Sequence, residues 1–379
     1  MLRYWTAGES HGKALVTVVD GFPCGLEIDV ATIDRELLRR QGGYGRGGRQ
    51  RIEADRVEIL SGTWRLLTLG SPIAMQIVNR DAKLERLDDL DQPRPGHADL
   101  TGAIKHLGSI RGVLERASAR ETAARVAAGA LARQLLSAFG IDLLGYVVEL
   151  GGLPIPVPPG SLADHRSIRD ASAVYGLNVE QDGAVKARID DAGRRGDTLG
   201  GIVEVRVEGL PIGLGTHAQW DRKLDGRLAQ AVMAVQAIKG VEIGLGFEAA
   251  RRPGSAVHDP IRYDRSSSHL PHLGYLRPSN HAGGLEGGIT NGQPLVLRAA
   301  MKPISTLAAR LPSVNMATKE SEPAAYERSD ICAVPAASVV VENVVAFEIA
   351  RAWTEKFGND SIAEAQARYD QYLSLSRQR

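Results

Sequence analysis

Ser118-Ala119-Arg120-Glu121-Thr122-Ala123-Ala124-Arg125-Val126-Ala127-Ala128-Gly129-Ala130-Leu131-Ala132-Arg133-Gln134-Leu135-Leu136-Ser137-Ala138-Phe139-Gly140 reads as a helix with almost no side-chain bulk. Ser118 followed three residues later by Glu121 is a capping-box pattern and Gly140 is a stop, so the helix is expected over about Ala119 to Ala138. Alanines at 119, 123, 124, 127, 128, 130 and 132 cover most of its faces. So slender a helix is expected between layers, since a surface helix keeps a bulky apolar stripe and a polar one. Two more helices are expected. One runs near Leu224 to Lys239 on the steps Leu224, Leu228, Val232, Val235 and Ile238, and one runs from Pro335 toward Gly358. Strand-like runs at Ala14 to Val19, Arg56 to Leu60, Ile73 to Val78, Leu143 to Leu150 and Ile202 to Val207 are β-branched and end at Gly, Pro or Asp. Helices and strands mix without regular βαβ alternation, which predicts an α+β fold whose sheets sandwich helices rather than a doubly wound parallel sheet.

The Pro-rich run within 151–175 is expected to be a surface excursion, not a domain boundary, and no internal repeat is present. With 43% hydrophobic residues in 379, the chain can bury a large core. Its 46 basic and 45 acidic side chains leave no global field to draw nucleic acid or an anionic membrane. Only Cys24 and Cys332 occur, which excludes a disulfide framework and a cysteine zinc site. The N-terminus has no apolar signal core, and Glu342 and Glu348 interrupt the longest apolar stretch, so a soluble, cytoplasmic protein is expected.

Against that neutral background, residues 39–51 hold five arginines and five glycines. Arginine offers a planar fork of donors for phosphate or carboxylate, and glycine lets the backbone approach a ligand. An anionic small molecule is the natural guest. A solvated loop and a single RGG-like nucleic-acid element are the competing readings. Gly8-Glu9-Ser10-His11-Gly12 and Arg94-Pro95-Gly96-His97-Ala98-Asp99 each present a histidine beside glycine, the second with an arginine and an aspartate able to orient it. Together with the arginines these make a site for acid catalysis on a phosphate ester, and neither spacing suits a metal. Arg116, Ala117 and Ser118, before the alanine-rich helix, form a candidate anion site. Glycines from 283 to 292 suit flat approach to a planar ligand, and Lys302-Pro303-Ile304-Ser305-Thr306 follows as a basic, hydroxyl-bearing turn. No Gly-x-Gly-x-x-Gly unit follows a strand and no Walker loop is present.

These motifs, with Glu58–Gly62, Gly240–Phe247 and Arg328-Ser329-Asp330-Ile331-Cys332-Ala333-Val334-Pro335, make the chain resemble the chorismate synthase family over almost its whole length. The resemblance implies a β-α-β sandwich with helices packed between antiparallel sheets, one catalytic domain over residues 1–379, and a homotetramer. It implies a carbon–oxygen lyase making chorismate by anti-1,4-elimination of phosphate from 5-enolpyruvylshikimate 3-phosphate. Reduced FMN is required without net redox change. The type is monofunctional, so reduced flavin comes from an external reductant with NADPH as the indirect source. By motif, His11, His97 and Asp330 would be catalytic, and Arg40, Arg46 and Arg49 would bind substrate. Cofactor contacts would come from Arg40, Arg46, Arg116, Ala117, Ser118, Gln236, Ala237, Gly287, Lys302, Pro303, Ile304, Ser305, Thr306 and Arg328. The chain departs from the family pattern at Gln50, at Leu66 and Leu67 where a glycine is usual, and over residues 105–111. Another FMN-dependent enzyme acting on a phosphorylated anion is the alternative enzyme reading.

Overall fold

The computed structural model describes residues 1–47, 54–327 and 329–379. Strands β1 (Arg3–Ala7), β2 (Ala14–Asp20), β3 (Glu58–Ile59) and β4 (Ile73–Val78) form an antiparallel sheet in the order β1-β2-β4-β3. A second antiparallel sheet has the order β8-β9-β7-β5-β6, from β5 (Asp142–Leu150), β6 (Leu153–Pro154), β7 (Gly201–Glu208), β8 (Ile238–Ile243) and β9 (Leu295–Met301). Period-two alternation sets the inner faces: Leu15, Thr17 and Val19 on β2, and Val203, Val205 and Val207 on β7, are buried. The sheets agree with the α+β sandwich expected from the sequence.

The helices are α1 (Val30–Gln41), α2 (Asp99–His106), α3 (Ile110–Ala117), α4 (Thr122–Ser137), α5 (Leu162–Ala171), α6 (Asp182–Arg194), α7 (Leu224–Met233), α8 (Val334–Phe357) and α9 (Ile362–Ser376). The pair α4 and α8 fills the space between the sheets, α4 against the first and α8 against the second. Twelve of the 16 residues of α4 and 21 of the 24 of α8 are buried, so both are covered on nearly every side. The slender faces of α4 allow this. At Gly129 any Cβ would stand 2.2 Å from the carbonyl oxygen of Asn343, so only glycine lets the two helix backbones meet there.

Charge is also buried in this layer. Glu342, fully buried in α8, pairs with Arg39 Nη2 at 2.9 Å and Arg133 Nη1 at 2.9 Å, and Glu36 pairs with the same two arginines at 2.7 and 2.8 Å. This ties α1, α4 and α8 together, and losing one partner would strand a charge in the core. Among the described residues no helix is long and apolar enough to cross a membrane.

Three local expectations change. The second predicted helix stops at Met233, and Val235 and Ile238 belong to a turn and to β8, because the chain must reverse to pair Ile238 with Met301. The capping box at Ser118 does not form. Ser118 Oγ accepts the Arg120 amide at 3.3 Å, and the Glu121 carboxylate turns to Arg125, whose guanidinium is a stronger donor than a backbone N–H. Residues Ala119–Glu121 are therefore a 3-10 turn, and the α-helix begins at Thr122. The excursion at 151–175 begins with β6 and carries α5, whose Leu162 packs with Leu144 and Tyr146 of the second sheet.

Candidate active site

Residues 118–122, leading into α4, gather several distant parts of the chain. Ser118 Oγ bonds Ser10 Oγ at 3.2 Å, and the Ala119 carbonyl accepts from Arg40 Nη2 at 3.2 Å. Arg120 Nη1 donates to both Asp55 oxygens at 2.7 and 2.6 Å, and its Nε donates to Asn79 Oδ1 at 2.9 Å. Glu121 accepts from Thr6 Oγ1 at 2.6 Å and Gln236 Nε2 at 3.0 Å, and Thr122 Oγ1 accepts from Arg40 Nε at 2.9 Å. Segments separated by more than 100 positions thus meet at five residues.

One side is the loop after β1. Asn79 Nδ2 donates to the carbonyls of Glu9 and Gly12 at 3.1 and 2.8 Å, which shapes the loop around His11. Buried Glu115, in α3, accepts the His11 backbone N–H at 2.7 Å and faces its Nδ1 at 2.8 Å. The opposite side carries His97, whose Nδ1 bonds Asp99 Oδ1. Asp99 is fully buried at the first position of α2, and Arg94 bonds it from its backbone N, Nε and Nη2 at 3.1, 2.8 and 3.0 Å. Burial alone would raise the Asp99 carboxyl, but the bonds from His97 and Arg94 hold it well below the usual carboxylate range. An ionised carboxylate on Nδ1 fixes that nitrogen as the N–H and leaves Nε2 as the proton-exchanging atom.

Between the histidines lies an arginine cluster. Buried Arg40 reaches Asp55 Oδ2 at 3.4 Å, and burial pulls its pKa down to about 10 despite the pull of Asp55 the other way. Arg46 Nη1 pairs with Asp330 Oδ2 at 2.8 Å, and the Gly47 amide donates to Asp330 Oδ1 at 2.6 Å. A Cβ on Gly47 would come within 3.0 Å of the Ser329 carbonyl, so the close approach depends on glycine. From there Ser329 Oγ reaches the Thr306 carbonyl at 3.3 Å, and Thr306 Oγ1 accepts from Arg94 Nη1 at 2.8 Å beside His97. Hydrogen bonds and ion pairs therefore run from the His11 loop through Asn79, Arg120 and Asp55 to Arg40, and a second set runs from Arg46 through Asp330, Ser329, Thr306 and Arg94 to His97, the two sets meeting where the like charges of Arg40 and Arg46 face each other. Three guanidinium groups, Arg40, Arg46 and Arg120, face two carboxylates, Asp55 and Asp330, and Arg46 Nε is buried with no partner among the described residues. That excess of buried positive charge is what an anionic ligand would neutralise.

A family model of chorismate synthase matches residues 2–354. The chain belongs to the chorismate synthase family. It is 54% identical to the chorismate synthase of Geobacter metallireducens and 52% identical to that of Geobacter sulfurreducens, with all of both chains covered in each pair. A crystal structure of chorismate synthase superposes with a TM-score of 0.82 at 42% identity, covering 100% of this chain and 99% of that one.

Several of the residues expected to contact a cofactor form a second arc from His11 to His97. Arg116 is at the end of α3, not the start of α4, and its guanidinium donates to the carbonyls of Gly8 and Thr6 at 3.0 and 2.8 Å. Thr6 and Gln236 share Glu121 as acceptor, and the Ala237 carbonyl accepts the Lys302 amide at 2.9 Å. The Lys302 ammonium lies beside the Pro95–Gly96 turn, 3.6 Å from where a Cβ on Gly96 would stand, and Ser305 is next to it. Burial, then Lys239, lowers the Lys302 pKa, so an anion here would be welcome. A buried Gln236 Oε1 without a partner among the described residues, the Lys302 ammonium and the hydroxyls of Ser305 and Thr306 are a donor and acceptor set that suits a phosphorylated flavin. Ala117 closes α3, while Pro303 and Ile304 form the backbone of the turn, the Ile304 carbonyl accepting from Thr198 Oγ1 at 2.7 Å. Gly287 stands apart on the hairpin Leu285–Glu286/Ile289–Thr290, beside His217. Arg49, Gln50 and Arg328 lie outside the described residues.

The sequence gives no site role to Glu115, Asp55, Asn79 or Arg120, and gives Glu121 only that of a helix cap. Asp55 precedes β3 and Asn79 follows β4, each beside other polar residues, and only the fold shows what they hold. Of the departures, Leu66 has φ +65 beside Arg65 at +50, in the turn of the hairpin Thr63–Trp64/Leu67–Thr68, a conformation that explains why glycine is usual there. The 105–111 segment is a tight link, with Leu107 at φ +48 ending α2 and Ser109 capping α3 through the Gly112 amide.

Proposed function

We propose that this chain converts 5-enolpyruvylshikimate 3-phosphate to chorismate and phosphate by 1,4-elimination, as a carbon–oxygen lyase that needs reduced FMN and consumes none of it. The observation that carries this reading is the surplus of buried guanidinium charge between two histidine–carboxylate pairs, in a chain of the chorismate synthase family.

Arg40 and Arg46, with Arg49, bind the substrate's anionic groups, and their preformed positions reduce the ordering cost of binding. His97, held through Nδ1 by Asp99, gives the Nε2 proton to the departing phosphate. Asp330 accepts the proton released from substrate carbon as the new double bond forms. Its oxygens are taken by Arg46 and Gly47, so substrate anions that draw Arg46 away would also unmask the base. Bound reduced FMN supplies an electron-rich ring that offsets positive charge as phosphate leaves. His11 holds a proton toward that ring, and Arg116, Ala117, Ser118, Gln236, Ala237, Gly287, Lys302 to Thr306 and Arg328 hold the cofactor. The atoms balance: one C–H and one C–O bond break, the existing C=C bond shifts by one position as a second C=C forms, the carbon proton goes to Asp330, phosphate leaves with the His97 proton, and no net oxidation or reduction takes place.

Reduced flavin is delivered by an external, NADPH-linked reductant in the cytoplasm, with Arg40 and Arg46 as nicotinamide-nucleotide contacts. Residues 1–379 act as one catalytic unit within a homotetramer. The outer face of the first sheet, where Trp5 and Val78 are about half exposed beside Val16 and Val18, supports self-association, which light scattering would measure. The test of function is anaerobic incubation of the protein with the substrate and dithionite-reduced FMN. Phosphate and chorismate should accumulate in many-fold excess over flavin oxidised. One flavin oxidised per phosphate would indicate a reductase instead, and no phosphate would end the assignment.

A further inference from the structure

Glu115 makes two bonds to a single residue 104 positions away: Oε2 accepts the His11 backbone N–H at 2.7 Å, and Oε1 faces His11 Nδ1 at 2.8 Å. A carboxylate that binds both the backbone and the ring of one histidine sets the ring's rotation as well as its place. The rest of the loop leaves no slack. The Glu115 carbonyl accepts the Ser10 amide at 3.0 Å, and the His11 carbonyl accepts the amides of Lys83 and Leu84, each at 3.0 Å. Arg111 stands behind the carboxylate, its Nη1 3.6 Å from Oε1, and is itself held by Glu327 at 2.9 Å. Burial raises the Glu115 carboxyl, but His11 and Arg111 outweigh it and keep it below its ordinary range, so it is an acceptor and Nδ1 carries the hydrogen. On the other edge of the ring, Nε2 is 3.8 Å from Asp81 Oδ2, which is paired with Lys83 Nζ at 2.9 Å.

We infer that Glu115 is the positioning residue for His11, fixing its Nδ1–H tautomer and ring orientation so that Nε2 is the atom that carries the proton in the reaction proposed above, on which this inference rests. The device matches Asp99 on His97, but there the carboxylate is two residues away in sequence. A glutamine at 115 keeps the size and cannot keep both bonds: its amide has one acceptor oxygen, and its NH2 would face either the backbone N–H or Nδ1 of His11. A purely structural clamp would alter thermal stability and leave the tautomer alone.

The test uses full-length protein labelled with 15N-histidine, ligand-free, at alkaline pH where imidazoles are neutral, with the His11 signal identified by its loss in His11→Asn. Wild type should show His11 as the Nδ1–H form, and Glu115→Gln should shift it toward Nε2–H. In the elimination assay Glu115→Gln should lower kcat by between about 10-fold, the cost of a lost orienting partner, and about 10⁴-fold, the cost of a wrong tautomer, with KM within about threefold. Glu115→Asp, which keeps the charge, should recover most of that loss. An Nε2–H tautomer in the wild type, or Glu115→Gln with unchanged kcat and tautomer, would overturn the inference. If the glutamine variant does not fold, the wild-type tautomer and the aspartate variant decide it. Wild-type protein inactive toward the substrate would refute the function instead, and the tautomer measurement would still judge Glu115.

Discussion

Replacing Asp99 by asparagine separates the charge of this residue from its shape. Its two oxygens receive four donors: the Arg94 backbone N, Nε and Nη2 at 3.1, 2.8 and 3.0 Å, and His97 Nδ1. Asparagine offers one oxygen, so at least one donor must face an N–H. If the amide NH2 donates to Nδ1, the imidazole proton moves to Nε2 in the neutral ring and the charged form loses its stabilising partner. A lost general acid costs roughly 10²–10⁴ in kcat, which is about 3–5 kcal/mol of transition-state stabilisation. The change also leaves the buried Arg94 short of its counter-charge, at a stability cost of about 3–5 kcal/mol, so turnover must be expressed per folded molecule by circular dichroism at the assay temperature. Anaerobic phosphate release at saturating substrate should then fall by that factor with KM within about threefold, because Asp99 contacts no substrate anion in the proposed pose. Folded Asp99→Asn enzyme with kcat within about threefold of wild type would show that the leaving-group proton does not depend on this pair.

Arg46→Ala removes the partner of Asp330 as well as a substrate contact, and isothermal titration should show substrate binding weakened by about 10–100-fold, with flavin affinity little changed. Equal loss of both affinities would contradict its assignment to the substrate. Glu36, whose carboxyl burial would raise but Arg133 and Arg39 hold well below its ordinary range, contributes stability that is present above its unfolded value near 4.5 and lost as pH falls through its folded value. The denaturation gap between wild type and Glu36→Gln should therefore narrow on acidification through that window, and a gap constant with pH would contradict the pairing. Gly129→Ala must push its new methyl against the Asn343 carbonyl, 2.2 Å away, and urea unfolding should show at least about 3 kcal/mol of lost stability. Leu66→Gly relieves a left-handed leucine at φ +65 that is half exposed, and should raise stability by about 0.5–1 kcal/mol; a loss would mean that Leu66 packs usefully.

The sandwich was legible in the alanine-rich helix because a helix without bulk is hard to explain except between layers, and α4 lies there with Gly129 against Asn343. The helix predicted from Leu224 to Lys239 ran too far because its spacing of Val235 and Ile238 fits both a helix and the entry to a strand. Tertiary pairing with Met301 decided it. At the site, His11, His97 and the arginines were legible from side-chain chemistry beside glycine, and Asp99 because it stands two residues from its histidine. Glu115, Asp55 and Asn79 were not, since each acts on a partner at least 15 positions away and has an ordinary sequence neighbourhood. The capping box failed for a related reason: a local motif assigns Glu121 to its nearest amide, and a guanidinium one turn later outbids it.

A crystal structure of the protein with oxidised FMN and 5-enolpyruvylshikimate 3-phosphate bound would show whether one cavity holds both molecules. Both ligands should lie against residues 118–122, the substrate phosphate within hydrogen-bond reach of His97, its anionic groups on Arg40 and Arg46, and the flavin between His11 and Lys302. Either ligand seated away from that ring, or Arg46 still paired with Asp330 in the ternary complex, would contradict it.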